Sequence, residues 1–570
     1  MPRLWMVYNS GVMGKAAKQI RNKIKDSADL TDLLLILLWF VSLAVGVAYL
    51  RLGWARVVYP YALDLVEEGM VMQAWRVAQG LPVFVPPNAE FVPQVYMPLF
   101  TWLGGLLLRL TGFGFWPLRL ISFLSVGGTA VLTFYVGWRE SGGKTAAFIG
   151  SGLFLGGYRL VGGWYDLARV DALFAFLSLA GLVLLVYGGR RGTRSYTEGA
   201  RSFTEIKIIF AAVLLGLAFL TKQNGVLLAT VAAFYFFTAE HAESAEKNNK
   251  KSASSAFIRV LKFFVIPFAV VAAVPVWVLQ QASGGWFSYY VVTIAYASPL
   301  ELARLRNIFV WELGAGMGVL VGEAVFLVVQ QVRRLAIGDW RLAAVNLQSL
   351  IANNPWLVFG RSTVGGNLNN MLIGYAFLCL IPALSFPRRR ESTFAVGMDT
   401  RLRGYDKRRW LWTAIMLAQF GLATFPLNAG LPRNFWPTAE MRAAGDALVE
   451  RVEAGPGEVW LLMHPSVAVW AGKRPFAHLQ SLWHARQRGT EPLPPDLVAL
   501  IEQQHFAQII SDESDFFETE PTFVALLLAH YEAVETLPPT QSPPTLNDPV
   551  IRPLTLYIPQ KNFATENTED

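Results

Sequence analysis

The chain has 570 residues, of which 54% are hydrophobic and only 16% are charged. A soluble protein carries about a quarter charged residues, so this composition excludes an ordinary soluble protein and indicates one that crosses a membrane several times. The net charge of +8 comes mostly from Lys and Arg in the gaps between apolar runs, so it does not indicate nucleic-acid binding.

Residues 1–30 are basic and precede the first long apolar run, at residues 31–50. This run is too long for the apolar part of a signal peptide, and no small-residue cleavage site follows it. We therefore predict an uncleaved membrane anchor with a cytoplasmic N-terminus.

Eleven apolar runs predict about eleven transmembrane helices, and hence an all-α polytopic membrane domain at residues 31–427. The runs are residues 31–50, 117–138, 145–161, 171–188, 207–221, 225–238, 259–280, 307–331, 341–359, 371–386 and 410–427. Lys and Arg cluster in alternate gaps, which the positive-inside rule assigns to the cytoplasm.

A shorter run, residues 98–108, cannot cross about 30 Å of hydrocarbon, and counting it as a crossing would reverse every later loop. We predict a juxtamembrane or re-entrant helix there. The segments predicted to face away from the cytoplasm are residues 51–116, 162–170, 281–306, 360–370 and 428–570.

The composition changes at residue 428, where short strand-like and helix-like stretches replace the long apolar runs. We predict a small extracytoplasmic α/β domain at residues 428–537 and a Pro-rich, loose tail at residues 538–570. The polar cytoplasmic segments 239–255 and 387–409 are predicted to be disordered.

Three acids, Asp64, Glu67 and Glu68, stand together in the first outer loop, in the stretch "LDLVEEGMVMQAW". The residues that follow have the period of an amphipathic helix that lies on the membrane. Carboxylates are common at helix starts, where the helix dipole favours them, so a purely structural role is the alternative to a catalytic one.

A second charged group, Asp166, Arg169 and Asp171, lies at the predicted outer mouth of the run 171–188. An ionisable group that enters a membrane segment is costly and usually lines a cavity, although an ion pair that anchors the helix end would look the same.

Lys222 and Gln223 interrupt an apolar hairpin in "LTKQNG". A lysine at the lipid–water boundary suits a phosphate, and the alternative is a lysine that extends to the membrane surface. Asn367 and Asn369, in "VGGNLNN", offer amide groups that suit sugar hydroxyls or an ordinary turn.

Several catalytic motifs are missing from the sequence. It has no HExxH, no GxxxxGK[ST], no dinucleotide-binding fingerprint after a strand and no serine-elbow motif, so a pump driven by ATP hydrolysis is disfavoured. The single cysteine, Cys379, excludes an intrachain disulfide and a cysteine-based metal site.

The order of these landmarks resembles the polytopic GT-C glycosyltransferases, and in particular bacterial relatives of the dolichyl-phosphate-mannose mannosyltransferases, glycosyltransferase family 39. The stretches that carry the resemblance are "EEG…QAWRVAQGLPVF…YMPLF", "ARVDALFAFLSLAGL", "LTKQNGVLLA", "GGWFSYYVVT" and "VGGNLNN", within residues 30–500. The resemblance implies a lipid-phosphate-linked sugar as donor, a first-loop acid as catalytic base and a second acid at an outer helix mouth.

Relatives usually have Asp-Glu or Gly-Glu-Gly where this chain has Glu67-Glu68-Gly69, so Glu68 is the best match to the base, with Glu67 and Asp64 as alternates. Asp171 is the match to the second acid. The other matched polar positions, including Tyr96 of "YMPLF", are expected to bind substrate.

The implied function is an inverting transfer of a sugar from a polyprenyl-phosphate donor to an extracytoplasmic glycan, lipid or protein, in a bacterial inner membrane. No cofactor is identified, and a divalent cation that bridges the acids and the phosphate stays an open alternative. A transporter or flippase would use the same acids for ions at the bilayer midplane, and a scaffold would use the C-terminal domain to bind a partner.

The loop charges generate a topology prediction. Single cysteines at positions 90 and 480 should react with a membrane-impermeant thiol reagent added from outside, whereas a cysteine at position 395 should react only after the membrane is opened. Labelling of positions 90 and 395 from the same side would contradict the charge-based topology.

Overall fold

The computed structural model describes residues 2–189, 198–246, 252–297, 301–336, 368–385, 398–424, 435–512, 520–547 and 550–560. Within these ranges the fold is mostly helical with one small sheet, as the sequence predicts. The first thirteen helices are α1 Pro2–Val57, α2 Leu65–Ala78, α3 Leu99–Thr111, α4 Trp116–Ser141, α5 Lys144–Gly156, α6 Val170–Gly189, α7 Glu198–Thr221, α8 Gly225–Glu246, α9 Ser252–Val260, α10 Ile266–Ala282, α11 Trp286–Ser288, α12 Leu302–Asn307 and α13 Gly318–Ala336.

Shorter and later elements complete the described helices. π-helical turns occupy Leu261–Val265, Tyr289–Ile294 and Ile308–Gly316, and 3₁₀ turns occupy Leu368–Met371 and Pro539–Gln541. The later α-helices are Leu372–Leu378, Ile381–Ser385, Met398–Thr424, Ala439–Ala454, Pro465–Trp470, Leu479–Ala485, Pro495–Glu502 and Pro521–His530.

Four of the described helices are long and apolar enough to cross a membrane, or five if one bent pair counts as a single span. The four are Leu30–Val57, Trp116–Ser141, Val170–Tyr187 and Ser254–Ala282. The predicted run 341–359 lies outside the described residues. A membrane protein with several spans is therefore supported, while the number eleven, the inner membrane and the orientation stay predictions.

The bent pair corresponds to the predicted run 307–331. Its two halves, Leu302–Gly316 and Gly318–Phe326, meet at 94°. The sequence there is "GAGMG", and glycine lowers helix stability by about 1 kcal/mol relative to alanine. The glycines weaken the helix at this point, and one continuous apolar run therefore forms two helices that meet at an angle.

The short run 98–108 forms α3, a helix of 13 residues. This is too short for a span and agrees with the expected juxtamembrane or re-entrant helix. Two glycines allow its close packing on α2, since a side chain at Gly105 would lie 2.5 Å from Val77 and one at Gly104 would lie 3.2 Å from Ala74.

The sheet lies entirely in the C-terminal part of the chain and has the strand order β1-β2-β4-β3. Its strands are β1 Glu458–Leu461, β2 Phe506–Asp512, β3 Tyr531–Thr536 and β4 Pro553–Pro559. β1 and β2 are parallel, and β4 is antiparallel to both β2 and β3.

The position of β4 differs from the loose tail predicted from residue 538. The segment 553–559, "PLTLYIP", is the strand that joins β2 to β3, because its apolar residues fill the middle of the sheet while its prolines lie at its two ends. The Pro-rich composition therefore predicted a loose tail where the structure has a central strand. Residues 561–570 lie outside the described part of the chain.

The first loop is held between the helices and the C-terminal part. Ala477 donates its backbone N–H to the carbonyl of Ala89, at 2.8 Å. The backbone N–H groups of Leu546 and Asn547 both donate to the carbonyl of Leu63, each at 3.0 Å. The loop thus has backbone bonds to segments more than 380 positions away in the sequence.

A buried arginine at the end of α1 joins these parts. Arg56 is completely buried and pairs with Asp166 at 3.0 Å. Its remaining N–H groups donate to the carbonyls of Phe435 and Gly163 and to Oδ1 of Asn547, at 3.0, 3.2 and 2.9 Å. One guanidinium therefore connects α1, the loop before α6 and the C-terminal segments.

This connection predicts the effect of Arg56→Met. The substitution leaves Asp166 buried without its cation, and breaking a buried pair in this way costs about 3–5 kcal/mol. We expect the free energy of unfolding in detergent micelles to fall by that amount. Arg51→Met, on the same helix at an exposed position, is the control and should change it little. Equal stability of the two variants would contradict the connecting role of Arg56.

Candidate functional site

The three acids of the first loop lie at the start of α2, and each is at most 1% exposed. Asp64 precedes the helix and caps it, since its Oδ2 accepts the backbone N–H of Val66 at 2.9 Å. Glu67 and Glu68 follow in the first turn, where successive residues point about 100° apart. The three carboxylates therefore meet three different sets of partners.

Glu67 is fully occupied by protein donors. Arg119 of α4 donates Nε and Nη2 to its two oxygens, at 2.8 and 2.6 Å. The backbone N–H groups of Leu63 and Ala168 add bonds of 2.8 and 2.5 Å. Burial opposes ionisation, but Arg119 and the two backbone N–H groups together outweigh it and hold the pKa of Glu67 below its usual range. With all these donors in place, Glu67 supports the loop and is poorly placed to accept a substrate proton.

Glu68 points to the C-terminal part of the chain. Its carboxylate accepts the hydroxyl and the backbone N–H of Ser466, at 2.9 and 3.1 Å, and lies 3.3 Å from Nδ1 of His464. Nε2 of the same histidine lies 2.8 Å from Oδ1 of Asp512, at the end of β2. Glu68, the sequence-based candidate for the base, is therefore enclosed by protein groups.

Gly69, the third residue of "EEG", lies where the side chain of Gln94 approaches the backbone of α2 closely. A side chain at this position would lie 2.1 Å from Nε2 of Gln94, which crosses α2 here and donates to the Ser481 hydroxyl at 2.9 Å. The glycine thus serves packing of the first loop on its own helix.

Asp64 differs from the two glutamates because one of its oxygens is free. Its Oδ2 accepts Nη1 of Arg169 at 3.1 Å, whereas its Oδ1 is buried and has no hydrogen-bond partner among the described residues. Burial raises the pKa of Asp64 to about 6, against the opposing effect of Arg169. A carboxylate of this kind can accept a proton near neutral pH.

Asp64 begins a chain of four buried side chains that alternate in charge, which we call the charge chain: Asp64, Arg169, Asp171 and Lys222. Arg169 lies 3.1 Å from Asp64 and 3.4 Å from Asp171, and Lys222 lies 2.7 Å from Asp171. Tyr96 accepts Nη2 of Arg169 at 2.8 Å. Segments predicted separately from the sequence thus meet in one place.

The asparagines also meet the charge chain. Asn369 donates its amide to both oxygens of Asp171, at 3.1 Å each, and Nζ of Lys222 donates to Oδ1 of Asn370 at 2.9 Å. Asn367 lies outside the described residues, so its predicted role remains a prediction.

Two predicted site residues lie apart from the charge chain. The amide of Gln223 donates to the carbonyls of Val95 and Val291, at 3.1 and 3.2 Å, and so holds backbone. Asp166 is completely buried with Arg56 and accepts the Tyr158 hydroxyl at 3.3 Å. Both residues make contacts within the protein, and their predicted contact with substrate stays a prediction.

Sequence reasoning missed Arg119, Arg56 and His464. A signal existed for Arg119, since it is a lone cation at the start of an otherwise apolar run, which usually marks an internal partner. No local pattern marks His464, because its two carboxylates come from α2 and β2, far away in the sequence.

A divalent cation is not supported by the donor set. Among the described residues, no group of three or more His, Cys, Asp or Glu side chains is arranged to hold a metal ion. The oxygens of Asp171 already accept bonds from Lys222 and Asn369, and the one free oxygen of Asp64 does not make a metal site.

Comparisons with known proteins identify the fold. Residues 92–272 match the family model described as dolichyl-phosphate-mannose-protein mannosyltransferase. No curated protein matches the chain by sequence. The match covers part of the chain, and it agrees with the resemblance drawn from the motifs.

Solved structures extend the likeness to the whole fold. The structure of ArnT from Cupriavidus metallidurans in the apo state has a TM-score of 0.53 at 12% identity, and covers 93% of this chain and 97% of that chain. The same protein bound to undecaprenyl phosphate gives 0.51 at 12%, covering 92% and 97%. The Archaeoglobus fulgidus oligosaccharyltransferase in complex with Zn and sulfate gives 0.50 at 13%, covering 86% and 69%. The chain therefore has the GT-C fold of membrane glycosyltransferases.

Proposed function

We propose that the protein transfers a sugar from a polyprenyl-phosphate-linked donor to an acceptor hydroxyl on the extracytoplasmic side of the membrane, with inversion, and that Asp64 is the general base. The observation that carries this proposal is the free, buried Oδ1 of Asp64 at one end of the charge chain. The fold supports the class of reaction, and a fold relative, ArnT, has been crystallised with undecaprenyl phosphate.

The reaction needs a base because an acceptor hydroxyl has a pKa far above 7. As the hydroxyl oxygen attacks the anomeric carbon, its proton passes to Oδ1 of Asp64, and the bond from the sugar to the phosphate oxygen breaks. The polyprenyl phosphate leaves with the bonding electron pair, and the cations of the charge chain can offset its charge.

The choice of Asp64 over Glu68 rests on their partners. Glu68 accepts two bonds from Ser466 and faces His464, so a substrate hydroxyl would have to displace protein donors. Asp64 keeps an oxygen free and has a pKa of about 6, near the value that favours both proton acceptance and subsequent release.

The class of reaction can be tested in cells that lack the protein. Mass spectrometry of lipid-linked sugars and surface glycans should show accumulation of one polyprenyl-phosphate sugar and loss of one glycan substituent. The wild-type protein should restore both, and the Asp64→Asn variant should restore neither. Unchanged lipid-linked sugars and glycans would contradict the proposed transfer.

The base is tested by kinetics of purified variants, with release of free undecaprenyl phosphate from extracted lipid-linked sugars as the readout. Asp64→Asn cannot accept a proton, so turnover should fall by roughly 10²- to 10⁴-fold. Wild-type kcat/KM should decline as the pH falls through about 6, because protonation of Asp64 removes the base.

The matched comparison is Glu68→Gln, because Glu68 lies about one helical turn after Asp64. It should keep the acidic limb of the pH profile and lose much less activity than Asp64→Asn. An inactive Glu68→Gln variant beside an active Asp64→Asn variant would assign the base to Glu68 instead.

Lys222 generates a separate prediction about the donor. Its ammonium is held by Asp171 and Asn370, and its side chain is 11% exposed. One of its three N–H groups has no acceptor among the described residues and can donate to a phosphate oxygen. Lys222→Ala should raise the donor KM by about tenfold or more, which corresponds to one charge-assisted hydrogen bond.

Lys222→Arg should recover part of this loss, because it restores a cation beside Asp171. Lys262→Ala, at an exposed position in another helix, is the control and should leave the donor KM unchanged. If Lys222→Ala folds and binds the donor as the wild type does, Lys222 serves only to neutralise Asp171.

A further inference from the structure

Glu68, His464 and Asp512 form a line of three buried charges between α2 and the sheet. The exposed fractions of their side chains are 1%, 6% and 2%. His464 lies between the two carboxylates and faces one with each ring nitrogen, at 3.3 Å from Glu68 and 2.8 Å from Asp512. Both distances are within ion-pair range, and the contact of Nε2 with Asp512 is an ion-pair distance without hydrogen-bond alignment. A protonated imidazole has an N–H on each ring nitrogen and can pair with both carboxylates.

The charge state of His464 follows from its neighbours. Burial by itself would lower its pKa, but Asp512 and Glu68 outweigh burial and raise the pKa of His464 to about 10. The third titratable neighbour is His478, whose pKa falls to about 3 because of burial and the positive charge of His464. At neutral pH the group therefore contains one imidazolium, His464, and one neutral imidazole, His478.

The line of charges is attached to the first turn of α2. Glu68 comes four residues after Asp64, which caps the same turn, so a displacement of Glu68 also moves Asp64. Ser466, next to His464 in the fold and two residues later in sequence, adds two further bonds to Glu68. These contacts attach the helix start to the C-terminal part of the chain.

We infer that Glu68, His464 and Asp512 form an ionic clamp by which the C-terminal part positions the first turn of α2, and with it Asp64. His464 is a positioning residue: it touches neither Asp64 nor the charge chain, and it acts through Glu68. The positioning of Asp64 as a base rests on the proposed function, whereas the ionic clamp itself does not.

Other contacts keep the first loop attached to the C-terminal part of the chain when the clamp is broken. Gln94 bonds Ser481 at 2.9 Å, and Ala89 bonds both Ala477 and Asp496, at 2.8 and 2.9 Å. A variant without the imidazolium is thus expected to fold, with local loosening of α2 as the main effect. This makes local hydrogen exchange the appropriate measurement.

The first arm of the experiment needs no substrate. Amide hydrogen exchange of peptides from residues 63–75 is measured in lipid nanodiscs at pH 7 and pH 10.5, after correction for the intrinsic rate. The folded-state pKa of His464, about 10, is above the ordinary value of about 6.5, so its contribution is full below 6.5 and is lost as the pH rises through 10.

The wild type should therefore lose protection at the start of α2 on going to pH 10.5. His464→Gln should exchange about tenfold faster at pH 7 and show little further change at pH 10.5. His505→Gln is the matched control, because His505 also faces a carboxylate, Glu458, at 2.6 Å, but is 39% exposed. It should behave as the wild type does.

The second arm measures turnover of extracted undecaprenyl-phosphate sugars. His464→Gln should lower kcat by about 10- to 100-fold with donor KM within about twofold, as expected for a misplaced base. The neutral triple variant Glu68→Gln/His464→Gln/Asp512→Asn removes all three charges together and should regain protection and part of kcat, because no buried charge is left unpaired.

The two arms separate the possible failures. Exchange at residues 63–75 that is the same in His464→Gln and the wild type at both pH values overturns the clamp. Faster exchange with unchanged kcat overturns only the positioning of Asp64. Absence of wild-type turnover with every lipid-linked sugar contradicts the proposed function, while the exchange arm still decides whether the clamp exists.

Discussion

The structure depends on one constraint: a charge taken out of water must be paired or neutralised, because an unpaired buried ion is unstable by several kcal/mol. The first loop contains three buried acids at a single helix start, and each acid has a different pairing partner. Glu67 has an arginine, Glu68 has a histidine, and Asp64 shares an arginine with a second aspartate. Glu67 and Glu68 accept hydrogen bonds on both of their oxygens. Asp64 keeps one oxygen without a partner among the described residues, and burial raises its pKa to about 6.

Part of this group of residues could be predicted from the sequence, because charged residues are unusual in apolar surroundings. A lysine between two short apolar runs and an aspartate at a helix mouth are costly in lipid, so each already indicated a partner. The structure brings Asp171 and Lys222 together, with Asn369 beside them. The fold class was predictable because the length of the apolar runs follows from the thickness of the bilayer, and the loop charges follow the positive-inside rule.

The partners of the three acids could not be predicted from local sequence. These partners lie 52 residues away for Glu67 and 396 residues away for Glu68. A motif comparison ranks the acids by their position in a short string, whereas their reactivity depends on which face of α2 meets which distant element. Strand β4 escaped prediction for a related reason. Its composition is that of a loose segment, and only its place between β2 and β3 makes it a strand.

The bond between Arg56 and Asn547 has a consequence for how the protein is made. Its two residues are separated by 491 positions. The carbonyl of Leu63 accepts its hydrogen bonds from the same C-terminal segment. Ribosomes add about 5–20 residues per second, so roughly 25–100 s pass between the emergence of the two partners. During that interval the membrane helices can insert and pack, but the first loop lacks the bonds that close it. The loop that contains the acids is therefore assembled last, and a chain that stops early leaves an inserted protein with an unfinished site.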